Sequence, residues 1–180
     1  MSDTELLTLF REGDNPRYAF DLIVRTYGER LYWHIRKMVV SHDDANDILQ
    51  NCLVKAWNGL PRFREESKLF TWLYRIATNE VITFLKKQRT YLFQSLSNVT
   101  RQLSETLHSD PLFSGDAIQT KLQKAILLLP NRQRQVFNMR YFDELKYEEI
   151  SEILGTTVGS LKASYHHAVE KIEEYMKQNV

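Results

Sequence analysis

Apolar residues recur at three- and four-residue steps along almost all of this 180-residue chain, and no stretch alternates with the two-residue period of a half-buried strand. A helix gathers residues at that spacing onto one face, whereas a strand would scatter them over both. The pattern implies an all-α fold. Composition agrees, because 6 Gly and 4 Pro supply few helix breakers and an apolar fraction of 43% is enough to build cores.

Capping and breaking residues divide the pattern into helices. Ser2 and Glu5 stand at capping-box spacing ahead of Leu6, Leu7, Leu9 and Phe10, and Gly13-Asp14 ends that run. Asn15-Pro16 opens a second helix, with Asn as N-cap and Pro at the first helical position. Its apolar stripe is Phe20, Ile23, Val24, Tyr27, Leu31, Ile35 and Met38. Ser41 or Asp43 caps a third helix, which has the cleanest periodicity. Ala45, Ile48, Leu49, Cys52, Leu53, Ala56 and Trp57 form one face of it, and Asp44, Asp47, Gln50, Asn51 and Lys55 the other. Gly59-Leu60-Pro61 stops it. After a charged loop from Arg62 to Lys68, a fourth helix buries Leu69, Trp72, Leu73, Ile76, Ala77 and Leu85. It finishes in Lys86-Lys87-Gln88-Arg89, cations that suit the negative end of a helix.

From about Tyr91 to Asp116 the composition shifts to Ser, Thr, Asn and Gln, which reads as a flexible linker. The expected organisation is therefore two small helical domains, residues 1–90 and 117–180, joined by residues 91–116. In the second domain Leu122, Ile126 and Leu129 precede the helix breaker Pro130, and Val136, Phe137, Met139 and Tyr141 belong to the next helix. Tyr147 to Leu154, a turn at Gly155-Thr156-Thr157 and a helix from Val158 to about Met176 form a helix-turn-helix. Ile150, Ile153, Leu154, Val158, Leu161 and Tyr165 are spaced to pack its two helices together.

Several functional classes lose support at this point. Lys and Arg number 24 against 23 Asp and Glu, so any basic surface is local. A single cysteine, Cys52, excludes an intrachain disulfide and a multi-cysteine metal site, and fits a reducing cytosol. Adjacent His166 and His167 diverge around a helix, so no metal site is expected from them, and no cofactor is implied. An enzyme would need a phosphate-binding glycine loop, a metal-spaced cluster or a nucleophile motif, and none is found. No apolar run approaches the roughly 18 residues of a membrane span, and the start lacks the pattern of a signal peptide. A cytoplasmic protein without membrane insertion is the expectation.

The outer face of the last helix offers Ser160, Lys162, Ala163, Ser164, His166 and His167. Small side chains there allow close approach to a major groove, and Lys or His can bond base edges or phosphates. An ordinary solvated face would look much the same.

A more specific signal is the stretch from Phe63 to Glu80. Phe63, Arg64, Ser67, Thr71, Trp72, Leu73, Tyr74, Arg75, Ile76, Ala77 and Asn79 closely resemble the minus-ten segment of extracytoplasmic-function sigma factors, a branch of the sigma-70 family. Asp44 to Gln50 with Lys55-Ala56-Trp57 resembles that family's contact with the clamp helices of the largest RNA polymerase subunit. The run Leu129-Pro130, Gln133, Val136-Phe137, Arg140-Tyr141, Glu149-Ile150, Gly155 and Val158 to Lys162 is similar to its minus-thirty-five domain.

The resemblance implies a division of labour. Asp44, Asp47, Gln50 and Asn51 would dock on core RNA polymerase. Arg64, Ser67, Lys68, Leu69, Phe70, Trp72, Arg75, Asn79, Lys86 and Lys87 would hold minus-ten DNA, with Arg75, Asn79 and the Ser67–Phe70 loop contacting its unpaired strand and not the duplex. Trp72 and Tyr74 also read as core residues, as Trp33 and Trp57 do. The second domain would read the minus-thirty-five element through Ser160, Lys162, Ala163, Ser164, His166 and His167, and touch the polymerase flap. An anti-sigma factor is the implied inhibitor. The chain departs from the pattern at Ser164, His167 and Val169, where many relatives carry arginine, and at Asn51, where Glu is common. Fewer fixed charges imply weaker phosphate contacts and a changed base preference. An autonomous helix-turn-helix regulator is the competing reading, but it leaves the first domain's two motifs without a purpose.

Overall fold

The computed structural model describes residues 1–39, 41–91 and 117–178, and among them only helices, turns and loops occur. The first half contains α1 (Asp3–Glu12), α2 (Pro16–Arg36), α3 (His42–Gly59) and α4 (Leu69–Tyr91), with a 3-10 turn over Leu60–Arg62. The second contains α5 (Ala117–Leu127), α6 (Asn131–Tyr141), α7 (Tyr147–Leu154) and α8 (Val158–Gln178). The segment read as a linker lies outside the described residues, apart from Tyr91.

The helices begin where side chains can satisfy the first free N–H groups. Ser2 Oγ accepts from the Glu5 N–H at 3.3 Å, and the Glu5 carboxylate accepts from the Ser2 N–H at 2.7 Å, a complete capping box. Asn15 caps α2 through the Tyr18 N–H. Of the two candidates for α3, Ser41 serves, accepting from the Asp44 N–H at 3.3 Å. In the helix-turn-helix Gly155 adopts φ 63 and ψ 41, the left-handed conformation that ends α7 with its N–H donated to Ser151. Thr157 then accepts from the Ser160 N–H to start α8.

The stripes read from the sequence meet in the first half. Leu6 and Phe10 of α1, Ile23 and Ile35 of α2, Ile48 and Cys52 of α3, and Leu73 and Ala77 of α4 are all buried. Trp57 stands edge-on to Phe10 and Phe20, with ring centroids 5.4 and 5.2 Å away. Burial pushes the Cys52 thiol up to about 12, so it stays protonated and packs as a small hydrophobe. In the second half Ala125, Ile126, Leu129, Phe137, Ala168 and Ile172 form their own core.

The two halves also pack against each other, which the sequence did not announce. Val136, Met139, Leu145, Ile150, Ile153 and Leu161 of the second half belong to one continuous apolar cluster with the first. The Asn138 amide donates to the Lys37 carbonyl at 3.3 Å. Asp143, its side chain 6% exposed, sits 3.3 Å from His34 Nδ1 and 2.5 Å from Lys37 Nζ. His34, itself buried on α2, meets Thr78 Oγ1 of α4 at 3.0 Å through its other nitrogen.

Burial alone would push the Asp143 carboxyl up, but the His34 hydrogen bond and attraction to His34 and Lys37 outweigh it and leave it below its ordinary value. A depressed carboxyl contributes stability that is complete above the unfolded value, about 3.9, and is lost as pH falls through the lower folded value. Asp143→Asn should therefore melt below the wild type at neutral pH, with the gap closing in strong acid. Thermal melts across that range measure it, and a gap independent of pH would contradict the ion-pair account.

Candidate nucleic-acid interface

The loop after the 3-10 turn and the first turns of α4 build a recess. Phe63 is buried, and its ring lies 4.9 Å from that of Trp72 at 37°. Gly59 lets the indole come close, because a Cβ there would fall 2.8 Å from Trp72 Cζ2. Arg11 of α1 holds the loop by donating to the Phe63 carbonyl and pairing with Glu65. The result is a recess of about 410 Å3 lined by Arg62, Phe63, Arg64, Glu66, Ser67, Trp72 and Arg75, with Glu152 at its edge. An aromatic wall beside three guanidinium-bearing residues suits a flipped base with its phosphates.

Arg64, Lys68, Arg75 and Asn79 are exposed, while Ser67 and Trp72 are half-buried. Arg75 and Asn79 share one face of α4, as their four-residue spacing requires. Leu69 and Phe70 are not in the lining of this recess, though Leu69 lines the neighbouring one with Ser67 and Lys68. Leu69 is 1% exposed and caps onto Asp3 through its backbone N–H. Phe70 packs between the Arg30 guanidinium at 4.2 Å and the Tyr74 ring at 4.4 Å. Tyr74 is core. Lys86 and Lys87 are exposed farther along α4, about 17 Å from Arg75 at the helical rise.

On α3, Asp47, Gln50 and Asn51 are exposed and Asp44 is half-buried. Burial, then the charges of Asp47 and Asp43, push the Asp44 carboxyl up, which marks a local negative field. Val54 adds a 60% exposed apolar side chain one turn on. The sequence reading missed it, although its place seven residues after Asp47 puts it on the same face. Lys55 turns aside to pair with Glu80 of α4.

On α8, Ser160, Lys162, Ala163, His166 and His167 are exposed and Ser164 is half-buried. Lys162 Nζ lies 5.8 Å from the Tyr147 ring. His166 Nε2 and His167 Nδ1 each approach Glu170 to 3.3 Å, so the two imidazoles, expected to diverge around the helix, instead converge on one carboxylate. Among the described residues no group of three or more His, Cys, Asp or Glu could hold a metal ion, and no helix is long and apolar enough to cross a membrane.

Residues 23–91 match the family model for sigma-70 region 2, and residues 119–172 match that for sigma-70 region 4. Over 176 residues the chain is 31% identical to the ECF RNA polymerase sigma factor SigW of Bacillus subtilis, covering 93% of this chain and 92% of the relative. The chain belongs to the extracytoplasmic-function sigma factors. It is also 28% identical over 181 residues to the ECF RNA polymerase sigma-E factor of Escherichia coli, covering 96% and 93% of the two chains. The solved structure of CnrH in complex with the cytosolic domain of CnrY shares the fold at TM-score 0.70 and 20% identity, covering 99% of each chain. The sigma factor RpoE in complex with the anti-sigma factor NepR, from Bartonella quintana, shares it at TM-score 0.67 and 22% identity, covering 89% and 98%. As a sigma factor, the chain directs RNA polymerase in promoter-specific transcription initiation. Its family comprises transcription regulators and not catalysts.

Proposed function

We propose that residues 1–90 dock on core polymerase and capture the minus-ten strand, that residues 117–180 read the minus-thirty-five element, and that residues 91–116 tether the two. The observation that carries this reading is the recess beside Trp72, where Arg62, Arg64 and Arg75 surround an aromatic wall. Asn79 extends the polar edge by one turn of α4. The acidic outer face of α3, with Val54 beside it, supplies a surface for a basic polymerase element. On α8 the small Ser160 and Ala163 flank Lys162, a shape suited to a major groove. His166 and His167, already engaged with Glu170, offer a weaker phosphate grip than arginines would. Such a protein works in the cytoplasm, where the polymerase is. An anti-sigma factor is its natural inhibitor, and RpoE of Bartonella quintana forms a complex with one, NepR.

Run-off transcription with purified core polymerase on a library of genomic fragments tests the reading. A restricted set of start sites sharing minus-ten and minus-thirty-five elements is expected. Start sites identical to those of core polymerase alone would refute it.

A further inference from the structure

We propose that α1 shapes the minus-ten loop, with Arg11 and Asp3 as positioning residues that fix its backbone and so set which base it accepts. The proposal rests on the reading of the recess as the strand-capture site and adds what determines its selectivity. Both residues lie on Asp3–Glu12, ahead of the stretch matched to sigma-70 region 2. Between Phe63 and Lys68 the chain forms no helix. Each end of that loop is tied to α1. At the first, the Arg11 guanidinium donates through Nη2 to the Phe63 carbonyl and through Nη1 to the Glu65 carboxylate. At the second, Asp3 Oδ2 accepts from the Leu69 N–H at 3.2 Å, where α4 starts. Asp3 is itself held, because its other oxygen accepts from the Tyr27 hydroxyl. Burial, then the hydrogen bond to Asp3, pushes that hydroxyl up to about 12, so it remains a donor.

The loop needs such a hold. Glu65 has φ 59, in the left-handed region that residues with a side chain rarely enter. Untethered, it would relax towards commoner backbone conformations. Phe63 packs on Trp72 at 4.9 Å and forms the aromatic wall of the recess, so a shift of its backbone moves the wall. A site that tells one base from another must keep its groups within about 0.5 Å of their working positions. The Arg11 and Glu65 side chains are 34% and 44% exposed, and a pair that solvated adds little to stability. Leu6, Leu7 and Phe10 keep α1 in the core whether or not Arg11 is present. The tether therefore governs loop shape more than folding.

The test assembles holoenzyme from the full chain and core polymerase. Its probes are fluorescent non-template-strand oligonucleotides from a promoter found in the transcription screen, with each of the four bases at each minus-ten position. Arg11→Ala should lower the affinity ratio of best to worst base at one position about tenfold, by weakening the best base most. Asp3→Ala should lower the ratio at the same position. Core-polymerase affinity and the thermal melt of Arg11→Ala should stay near wild type. Glu65→Gln, a milder surface change that guards against misfolding, should lower the ratio less. Added to Arg11→Ala it should change nothing further, because both cut one tether. Wild-type ratios in either alanine variant, or an equal loss for all four bases, would overturn the positioning role. A further fall on adding Glu65→Gln would put Glu65 itself on the DNA and overturn the tether as well. Arg64→Ala and Ser67→Ala probe the recess directly. If both bind every oligonucleotide as the wild type does, the strand-capture reading fails and the proposal with it. If they bind weakly while Arg11→Ala keeps wild-type ratios, the positioning role alone fails.

Discussion

Asp47→Arg should strip the chain of most of its affinity for core polymerase while leaving its helicity intact. Asp47 is exposed at the centre of the outer face of α3, between half-buried Asp44 and exposed Gln50 and Asn51. Burial, followed by the charges of Asp47 and Asp43, raises the Asp44 carboxyl, so acidic groups are gathered on this face. Arginine there removes an attraction and introduces a repulsion against a basic partner. Truncating one member of a buried, hydrogen-bonded charge pair costs about 2–5 kcal/mol, and a reversal belongs at the upper end of that range. Arginine is a good helix former, so α3 should persist. Val54→Ala should cost less, because it removes only a small apolar contact. Titration of labelled core enzyme with each variant measures both effects. Wild-type affinity for Asp47→Arg would remove this face from the interface.

Asn79→Ala and Arg75→Ala should impair promoter opening more than polymerase recruitment. Both side chains are exposed on one face of α4, and Arg75 lines the recess. Losing a stacking or bidentate base contact costs about 1–3 kcal/mol, so each variant should lose roughly five- to a hundred-fold in open complex. Permanganate reactivity at the start site reports opening, and a gel shift of the closed complex reports recruitment. Equal permanganate reactivity in variant and wild type would separate this face from strand capture.

The residues that were legible in the sequence are those governed by local chemistry. Ser2, Asn15 and Gly155 act within a few residues of their own position, so capping and turn rules placed the helix ends. The apolar stripe of α3 was legible because 3.6-residue periodicity is itself local. Leu69 and Phe70 show where motif reading loses resolution. They lie inside the matched segment, yet Leu69 is buried and Phe70 is stacked among Arg30, Tyr27 and Tyr74. A motif retains residues that shape a site together with residues that touch its ligand, and only packing tells them apart.

The contact between the halves was beyond sequence reasoning for a different reason. His34 meets Asp143 across 109 positions, and Arg75 meets Glu152 across 77. No periodicity or spacing rule links residues that far apart. The one available signal was His34 itself, a polar residue three positions after Leu31 and four before Met38 on an apolar stripe. A buried polar group needs a partner, and that partner lay in the other half of the chain.

The most direct measurement of the central claim is the binding of promoter duplex with and without core polymerase. One helix-turn-helix carrying Lys162 as its clear cation makes few phosphate contacts, and few contacts mean weak binding with a shallow salt dependence. A single unit also lacks the second half-site on which dimeric regulators rely. Core polymerase should change this by holding both halves on DNA at a fixed spacing. An anisotropy titration should therefore show weak, nearly sequence-independent binding by the chain alone at physiological salt, and tight promoter-specific binding once core enzyme is added. Tight, sequence-specific binding by the chain alone, unaffected by polymerase, would contradict the account and make the chain an autonomous regulator.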